Sequence, residues 1–175
     1  MSANQRDLVE LEQAEDSLRQ QCLGSLRARA ERWLQVRRVS IAPFTHFSLP
    51  SSECSLLYRD GYNFACIALC QAVAESLVRY LCEQNRIPLS KSFETNLNRL
   101  KKGRVLKSQS IEALDRVWAD RNDFLHVNPV VSRDPAALRQ VALAKLSDLA
   151  AAEQDAFAAD YSGGKLSVAK PKHWP

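Results

Sequence analysis

The residue types best suited to chemistry stand together in the run Arg121-Asn-Asp-Phe-Leu-His126. On an ideal helix Asn122 and His126 share a face, whereas Arg121 lies about 140° around the axis from His126. Arginine offers a permanent cation with several donors, and histidine titrates near neutral pH, which together suit phosphate chemistry. Asn122 could orient the imidazole or a phosphate oxygen. The sequence therefore predicts a catalytic site made of Arg121, Asn122 and His126.

One copy of this cluster supplies few catalytic groups. Cleavage of a phosphodiester by the 2′-hydroxyl of RNA needs a base, an acid and a positive charge on the phosphate. Two copies across a twofold axis would supply all three. The cluster therefore predicts a homodimer with RNA as its substrate.

The pattern also has an ordinary explanation. An arginine followed by a histidine, with four to six residues between them, is expected roughly once by chance in a chain of this composition. The strict form has four intervening residues, the first of them asparagine, aspartate or histidine, and is much rarer by chance. In the alternative interpretation, Arg121 pairs on the surface with Asp115 or Asp120. His126 would then stabilise the C-terminal end of its helix, where a cation is favoured.

A basic cluster precedes the motif along the chain. It consists of Arg99, Lys101, Lys102, Arg104 and Lys107. A polyanion such as RNA could bind there, and a solvated helix face is the alternative. A second group of cations ends the first predicted helix and comprises Arg27, Arg29, Arg32, Arg37 and Arg38.

Apolar residues recur at three- and four-residue steps over most of the chain, which predicts amphipathic helices. Five helices are predicted. They cover residues 5–39, about 51 to a point before Ile87, a short segment that ends at Gly103, residues 110–127, and Pro135 to about 160. Residues 40–50 are predicted to form a loop, and no segment shows the alternation of a strand. We expect an all-α protein, an up-and-down helical bundle of four to five helices.

The chain divides into three parts by composition. Residues 1–40 are predicted to form an amphipathic helix that packs on the core, and residues 50–160 to form the helical domain. Residues 165–175 are predicted to form a basic C-terminal tail that is frayed or docked on a partner. No stretch has the apolar length of a membrane span, and the polar N-terminus lacks the apolar segment of a signal peptide. The expected protein is cytoplasmic and does not bind a membrane.

The five cysteines show no spacing that is typical of a metal site. Cys66 and Cys70 lie four residues apart in an apolar run, so we expect buried, reduced thiols in the core. No metal and no cofactor is predicted.

The motif Arg121-Asn-Asp-Phe-Leu-His126, on a late helix of a small helical protein, resembles that of the HEPN superfamily (higher eukaryotes and prokaryotes nucleotide-binding domains). The resemblance covers roughly residues 50–160 and includes Ala72-x-x-Glu75 on the long apolar helix. It implies a four- to five-helix domain, commonly a homodimer, that acts as a metal-independent endoribonuclease in a toxin–antitoxin or phage-defence system. It also implies that Arg121 and His126 are catalytic, and that an antitoxin or defence-system protein is a possible partner.

The sequence departs from one branch of that superfamily. Toxins silenced by nucleotidylation carry a tyrosine two residues after the histidine, where this chain has Asn128. Two other functions remain open. The first is a noncatalytic HEPN module that binds a nucleotide, RNA or a partner protein, and the second is a helical adaptor in which Arg121 and His126 are ordinary surface residues.

Overall fold

The computed structural model describes residues 3–36, 46–126, 128, 131 and 134–174. Its helices and strands are α1 (Ala3–Val36), α2 (Ser48–Asp60), α3 (Asn63–Gln84), α4 (Phe93–Lys102), α5 (Ser108–Trp118), α6 (Arg121–Leu125), α7 (Pro135–Ala156), β1 (Ala159–Ser162) and β2 (Lys165–Val168), followed by a 3-10 turn at Pro171–His173. The predicted all-α helical bundle is confirmed. The described residues form more helices than predicted, because two predicted helices are each divided.

Helix α3 forms the centre of the bundle and packs against α2, α4, α5, α6 and α7. Val73 and Cys82 lie on opposite sides of an ideal helix and are both buried, as expected for a helix with several neighbours. The prediction that no stretch of the chain has the apolar length of a membrane span is wrong, because α3, alone among the described helices, has the length and apolar composition that a span requires. Its position inside the bundle accounts for that composition.

The first divided helix breaks at Gly61, so the prediction of one helix from about residue 51 to a point before Ile87 is wrong. Gly61 has φ +88°, a left-handed conformation that glycine adopts without a Cβ penalty. Its N–H donates to the Tyr58 carbonyl at 3.1 Å, which ends α2. Helix α2 also begins earlier than predicted, at Ser48, because Pro50 lies in the first turn, where its missing N–H has no helical partner to lose.

The second divided helix breaks at Ala119 and Asp120, so the prediction of one helix over residues 110–127 is also wrong. The motif lies on α6, a separate helix of five residues. Its apolar positions still face the core as predicted, since Ile111, Leu114 and Phe124 are buried. Val127 lies outside the described residues.

Helix α7 begins at Pro135 as predicted, and α4 is capped by Ser92, one of two serines, Ser90 and Ser92, that the sequence offers as its cap. Ser92 Oγ accepts from the Thr95 N–H at 3.2 Å, and the Asp134 carboxylate accepts from the N–H groups of Ala136 and Ala137, each at 3.1 Å. Such side-chain caps satisfy donors that the first helical turn leaves unpaired.

The chain after α7 differs from the prediction. Helix α7 ends at Ala156, and the prediction of a protein without strands is wrong, because β1 and β2 pair as an antiparallel hairpin. Gly163 and Gly164 both have positive φ, the conformation that a two-residue hairpin turn requires. Strands of four residues are too short to show a clear alternation in the sequence.

The tail beyond the hairpin docks on its own chain through His173. The Tyr80 hydroxyl donates to the His173 carbonyl at 2.8 Å, and the imidazole, which is fully buried, lies 2.7 Å from the Ala156 carbonyl through Nδ1 and 3.1 Å from the Asn85 amide through Nε2. Because a carbonyl only accepts, Nδ1 carries the proton and Nε2 accepts from Asn85. The segment 165–174 is thus bound to the body in place of the frayed or partner-bound tail that the sequence predicts.

Helix α1 is continuous through Gly24 and contacts the body by its C-terminal part. Arg29 pairs with Asp60 at 2.8 Å, Arg32 Nε donates to the Arg59 carbonyl at 2.7 Å, and Val36 is buried. The leucines of its N-terminal half are exposed. The expected packing on the core is therefore seen for one end of this helix.

The cysteines predicted to lie in the core do so. Cys66 and Cys70 are buried beside Cys54, and the Cys66 thiol donates to the Cys54 carbonyl at 3.3 Å. Hydrogen bonds with Cys54 and Cys66, together with burial, raise the pKa of the Cys70 thiol well above its usual range. All five cysteines are reduced.

We predict that the docked tail makes folding stability depend on pH. Burial lowers the pKa of His173, and the charges of Lys170 and Lys172 add to this effect. Below about pH 6.5 the unfolded state therefore binds a proton that the folded state excludes, and the free energy of unfolding should fall by up to about 1.4 kcal/mol per pH unit. Urea unfolding between about pH 7.5 and 5.5 measures this slope.

Two variants separate His173 from other titrating groups. His173→Phe should be less stable than the wild type near neutral pH and should lose less stability on acidification, whereas His46→Phe, at an exposed histidine, should keep the wild-type slope. The same slope in wild type and His173→Phe would contradict the assignment.

Candidate functional site

The motif is positioned by a sharp change of chain direction between α5 and α6. The Ala119 N–H donates to the Asp115 carbonyl at 2.9 Å and closes α5. Asp120 then adopts φ +59° and ψ +21°, a left-handed conformation that aspartate tolerates better than most residues. The Asp120 carbonyl accepts from the Asp123 N–H at 3.1 Å, which begins α6 with Arg121 as its first residue.

Lys145 of α7 holds this change of direction from inside the bundle. Its ammonium, in a side chain that is almost fully buried, donates to the carbonyls of Arg116, Val117 and Ala119 at 3.0, 3.0 and 2.8 Å. These carbonyls form the C-terminal end of α5, where backbone acceptors lack helical partners and a positive charge is favoured. Burial lowers the pKa of Lys145, while the negative charge of Asp120 opposes the change.

Arg121 is held at the surface by an aromatic ring and a carboxylate. Its guanidinium lies over the Trp118 ring, 4.6 Å from the centroid, and Nη2 is 3.8 Å from Glu75 Oε2 on α3. The Trp118 ring is fixed in turn by stacking on Phe93 at 4.1 Å. The arginine therefore has a defined position and remains partly exposed.

Glu94 of α4 completes this cluster. Its Oε1 accepts from the Trp118 indole N–H at 2.9 Å. A hydrogen bond from Ser92 Oγ lowers the pKa of Glu94 most, and the indole N–H and the charge of Arg121 act in the same direction. Glu94 is therefore ionised at neutral pH and adds negative charge beside Arg121.

The structure places His126 at the C-terminal end of α6. Its N–H donates to the Asn122 carbonyl at 3.0 Å, so the two residues keep the one-turn separation that the sequence predicts. Both side chains are exposed. His126 is thus the C-cap residue of its helix, which agrees with the alternative interpretation. The other half of that interpretation is wrong, because Arg121 pairs with Glu75 and not with Asp115 or Asp120.

A surface groove of about 570 Å³ runs along the start of α6. Its walls are Glu94, Trp118, Ala119, Asp120, Arg121, Asn122 and Asp123. The structure therefore brings Arg121 and Asn122 into one groove, and His126 lies beyond its walls at the other end of the short helix. Three of the lining residues carry carboxylates, so the groove of a single chain is acidic around one guanidinium.

The basic cluster lies at the opposite end of α5 from the motif. Lys107 is the N-cap residue of α5, and eleven helical residues, or about 16 Å at 1.5 Å per residue, separate it from the break that precedes Arg121. The Arg99 guanidinium donates to the Pro88 carbonyl. Lys101, Lys102, Arg104 and Lys107 are exposed. The predicted RNA-binding residues do not line the groove.

Trp118 and Lys145 are site residues that sequence analysis does not identify. Trp118 falls on an apolar stripe and is interpreted as a core residue, but it also carries Arg121 on one face. Lys145 lies three residues after Ala142 and four before Leu149, on the buried stripe of α7. A lysine on a buried stripe is the sequence signal that could have identified this residue, because a buried charge needs polar partners.

Comparison with known proteins gives no family assignment, since no family model, curated protein or solved structure matches this chain. In the part of the chain that the structure describes, no group of three or more histidine, cysteine, aspartate or glutamate residues is arranged to hold a metal ion.

We predict that Lys145 stabilises the α5 to α6 junction. In Lys145→Met the methionine fills similar space but removes the ammonium donor from three carbonyls, of which, among the described residues, only that of Ala119 keeps a second donor, the Gln71 amide. We expect the free energy of unfolding to fall by about 2–4 kcal/mol. Urea unfolding followed by tryptophan fluorescence measures the change. Lys91→Met, at an exposed lysine, should change it by less than about 0.5 kcal/mol, and an equally small effect of Lys145→Met would refute the prediction.

Proposed function

We propose that this protein is a metal-independent endoribonuclease of the HEPN type that acts as a homodimer. The observation that carries the proposal is that Arg121, Asn122 and His126 all belong to the short helix α6 or its C-cap and have exposed or partly exposed side chains, where a second copy and a substrate can reach all three. The resemblance of the motif to the HEPN superfamily supplies the reaction class. A role in a toxin–antitoxin or phage-defence system, with a partner protein, belongs to the same proposal.

In the proposed reaction the imidazole of His126 from one copy removes the proton of a ribose 2′-hydroxyl. The 2′-oxygen attacks the phosphorus, the bond from phosphorus to the 5′-oxygen breaks, and the protonated His126 of the other copy gives its proton to that oxygen. The products are a 2′,3′-cyclic phosphate and a 5′-hydroxyl. The two Arg121 guanidiniums would stabilise the negative charge that develops on the phosphate.

The contacts of Arg121 are compatible with this role. A guanidinium has five N–H donors, and the distance of 3.8 Å to Glu75 is too long for a hydrogen bond. The Trp118 ring supports the face of the guanidinium and leaves its edge available. Arg121 can therefore donate to a phosphate without giving up a strong existing partner.

A second candidate function is a noncatalytic HEPN module that binds a nucleotide, RNA or a partner protein. The carboxylates of Glu94, Asp120 and Asp123 favour the form that binds a partner protein, because they repel a polyanion such as RNA from the groove. The position of His126 outside the groove walls also favours it. This module would be stabilised by its ligand without turning it over.

Ribonuclease activity can be tested on single-stranded RNA in the presence of EDTA. We expect cleavage by the wild-type protein and a decrease of at least about 100-fold in His126→Ala and in Arg121→Ala, because each removes a group required in the transition state. Denaturing gels measure the products, and circular dichroism checks that helicity is retained.

Matched controls exclude a contaminating nuclease and general surface effects. His46→Ala and Arg27→Ala change an exposed histidine and an exposed arginine of α1, and both should keep wild-type activity. Activity that is unchanged in His126→Ala and Arg121→Ala would exclude the enzyme. Stabilisation by RNA or nucleotide without cleavage would instead support the noncatalytic module.

The basic cluster predicts a salt-dependent contribution to RNA binding that is separate from cleavage. Lys101→Ala combined with Lys102→Ala should weaken binding and reduce the slope of log affinity against log salt by about 0.7 for each phosphate that is no longer neutralised. Fluorescence anisotropy with labelled RNA at several salt concentrations measures both. An unchanged slope would place RNA elsewhere on the surface.

A further inference from the structure

One face of α1 is apolar and has no described neighbour along most of its length. Leu8, Leu11, Leu18, Cys22 and Leu26 fall within an arc of about 80° on an ideal helix. The four leucines are each 56–61% exposed, and Cys22 is the exposed cysteine of the chain. A stripe of this length on a protein surface marks an interaction site.

The same face is already an interface at the other end of the helix. Arg29, Arg32 and Val36 continue the arc toward the C-terminus, and there the helix packs on α2. The stripe is therefore buried by its own chain near residue 36 and continues without a described neighbour toward residue 8. The unpartnered part is continuous with an established helix contact.

Charge along α1 is distributed unevenly. Residues 7–16 carry five carboxylates and no cation, whereas residues 19–36 carry four arginines and one glutamate. Two of these arginines, Arg29 and Arg32, also contact α2 of their own chain. A parallel, in-register copy of α1 would place acidic against acidic residues. An antiparallel copy places the acidic half against the basic half, so the surface is self-complementary under a twofold rotation.

We propose that two copies of this protein associate through α1, with the apolar stripes facing each other and the helices antiparallel. The occupant of the stripe is a second copy of the same chain. A membrane surface fits less well, because helices that lie on anionic lipid carry basic polar faces and the unpartnered half of α1 is acidic.

This contact is separate from the pairing of α6 sites in the proposed ribonuclease. The two bodies are attached at the C-terminal ends of antiparallel helices and therefore lie at opposite ends of the helix pair. Association through α1 does not depend on Arg121 or His126. It stands or fails independently of the catalytic proposal.

Sedimentation equilibrium between about 1 and 200 µM tests the interface. Leu11→Glu combined with Leu18→Glu introduces charge into the stripe and should raise the dissociation constant more than tenfold. Val9→Glu combined with Leu34→Glu is the matched control, because both residues are exposed on α1 more than about 100° from the centre of the stripe. That control should associate like the wild type.

Two results would overturn the interface. One is a wild-type protein that stays monomeric over this range. The other is a Leu11→Glu and Leu18→Glu variant with the same largest assembly and the same dissociation constants as the wild type, because a dimer paired through α6 alone would persist in this variant while any larger assembly would be lost. The substituted positions are exposed, so the body should remain folded, and circular dichroism verifies this.

The orientation has its own test. Asp7→Cys in a Cys22→Ser background provides one exposed thiol for a spin label, since the other four cysteines are buried. In the antiparallel pair the two labels lie near opposite ends of the contact, more than about 25 Å apart at 1.5 Å per residue. Double electron–electron resonance measures this distance, and a separation of about 15 Å or less would show a parallel pair and refute the proposed arrangement.

Discussion

The ammonium of Lys145 binds the three carbonyls at the end of α5, and the position of the motif depends on this contact. Without a buried donor there, α5 could not stop inside the bundle with its last acceptors satisfied. The helix stops, Asp120 takes a left-handed conformation, and the chain turns so that Arg121 starts a new helix over the Trp118 ring. A single buried charge on α7 thus sets where Arg121 lies.

Negative charge within the same chain balances the guanidinium of Arg121. Glu75 and Glu94 offset the positive charge of the guanidinium, and the groove beside it contains further carboxylates. His126 stands at the far end of α6, exposed to solvent. Under the proposed function a second copy must therefore supply both additional positive charge and the second imidazole, which makes association a requirement of the chemistry.

The two ends of the chain are held by different physical means. The tail is fixed by buried hydrogen bonds to a neutral imidazole, an arrangement that becomes less stable when the imidazole takes up a proton. Helix α1 is fixed to the body by ion pairs and hydrogen bonds near its C-terminus, and its remaining apolar stripe is available for association. In both cases a segment that the sequence presents as peripheral has a defined role in packing.

The sequence by itself determined the helical class, the cap at Asp134, a serine cap before α4, the buried cysteines and the apolar faces of α3, α5 and α7. These features depend on local periodicity and on side chains close in the chain. It also identified the residues of the motif. Only the tertiary structure decided that this motif lies on a separate short helix. That break depends on Lys145, which is distant in the sequence and reaches the α5 carbonyls only after the helices have packed. The separation of the basic cluster from the motif and the docking of His173 are likewise set by contacts across the fold, which local patterns do not contain.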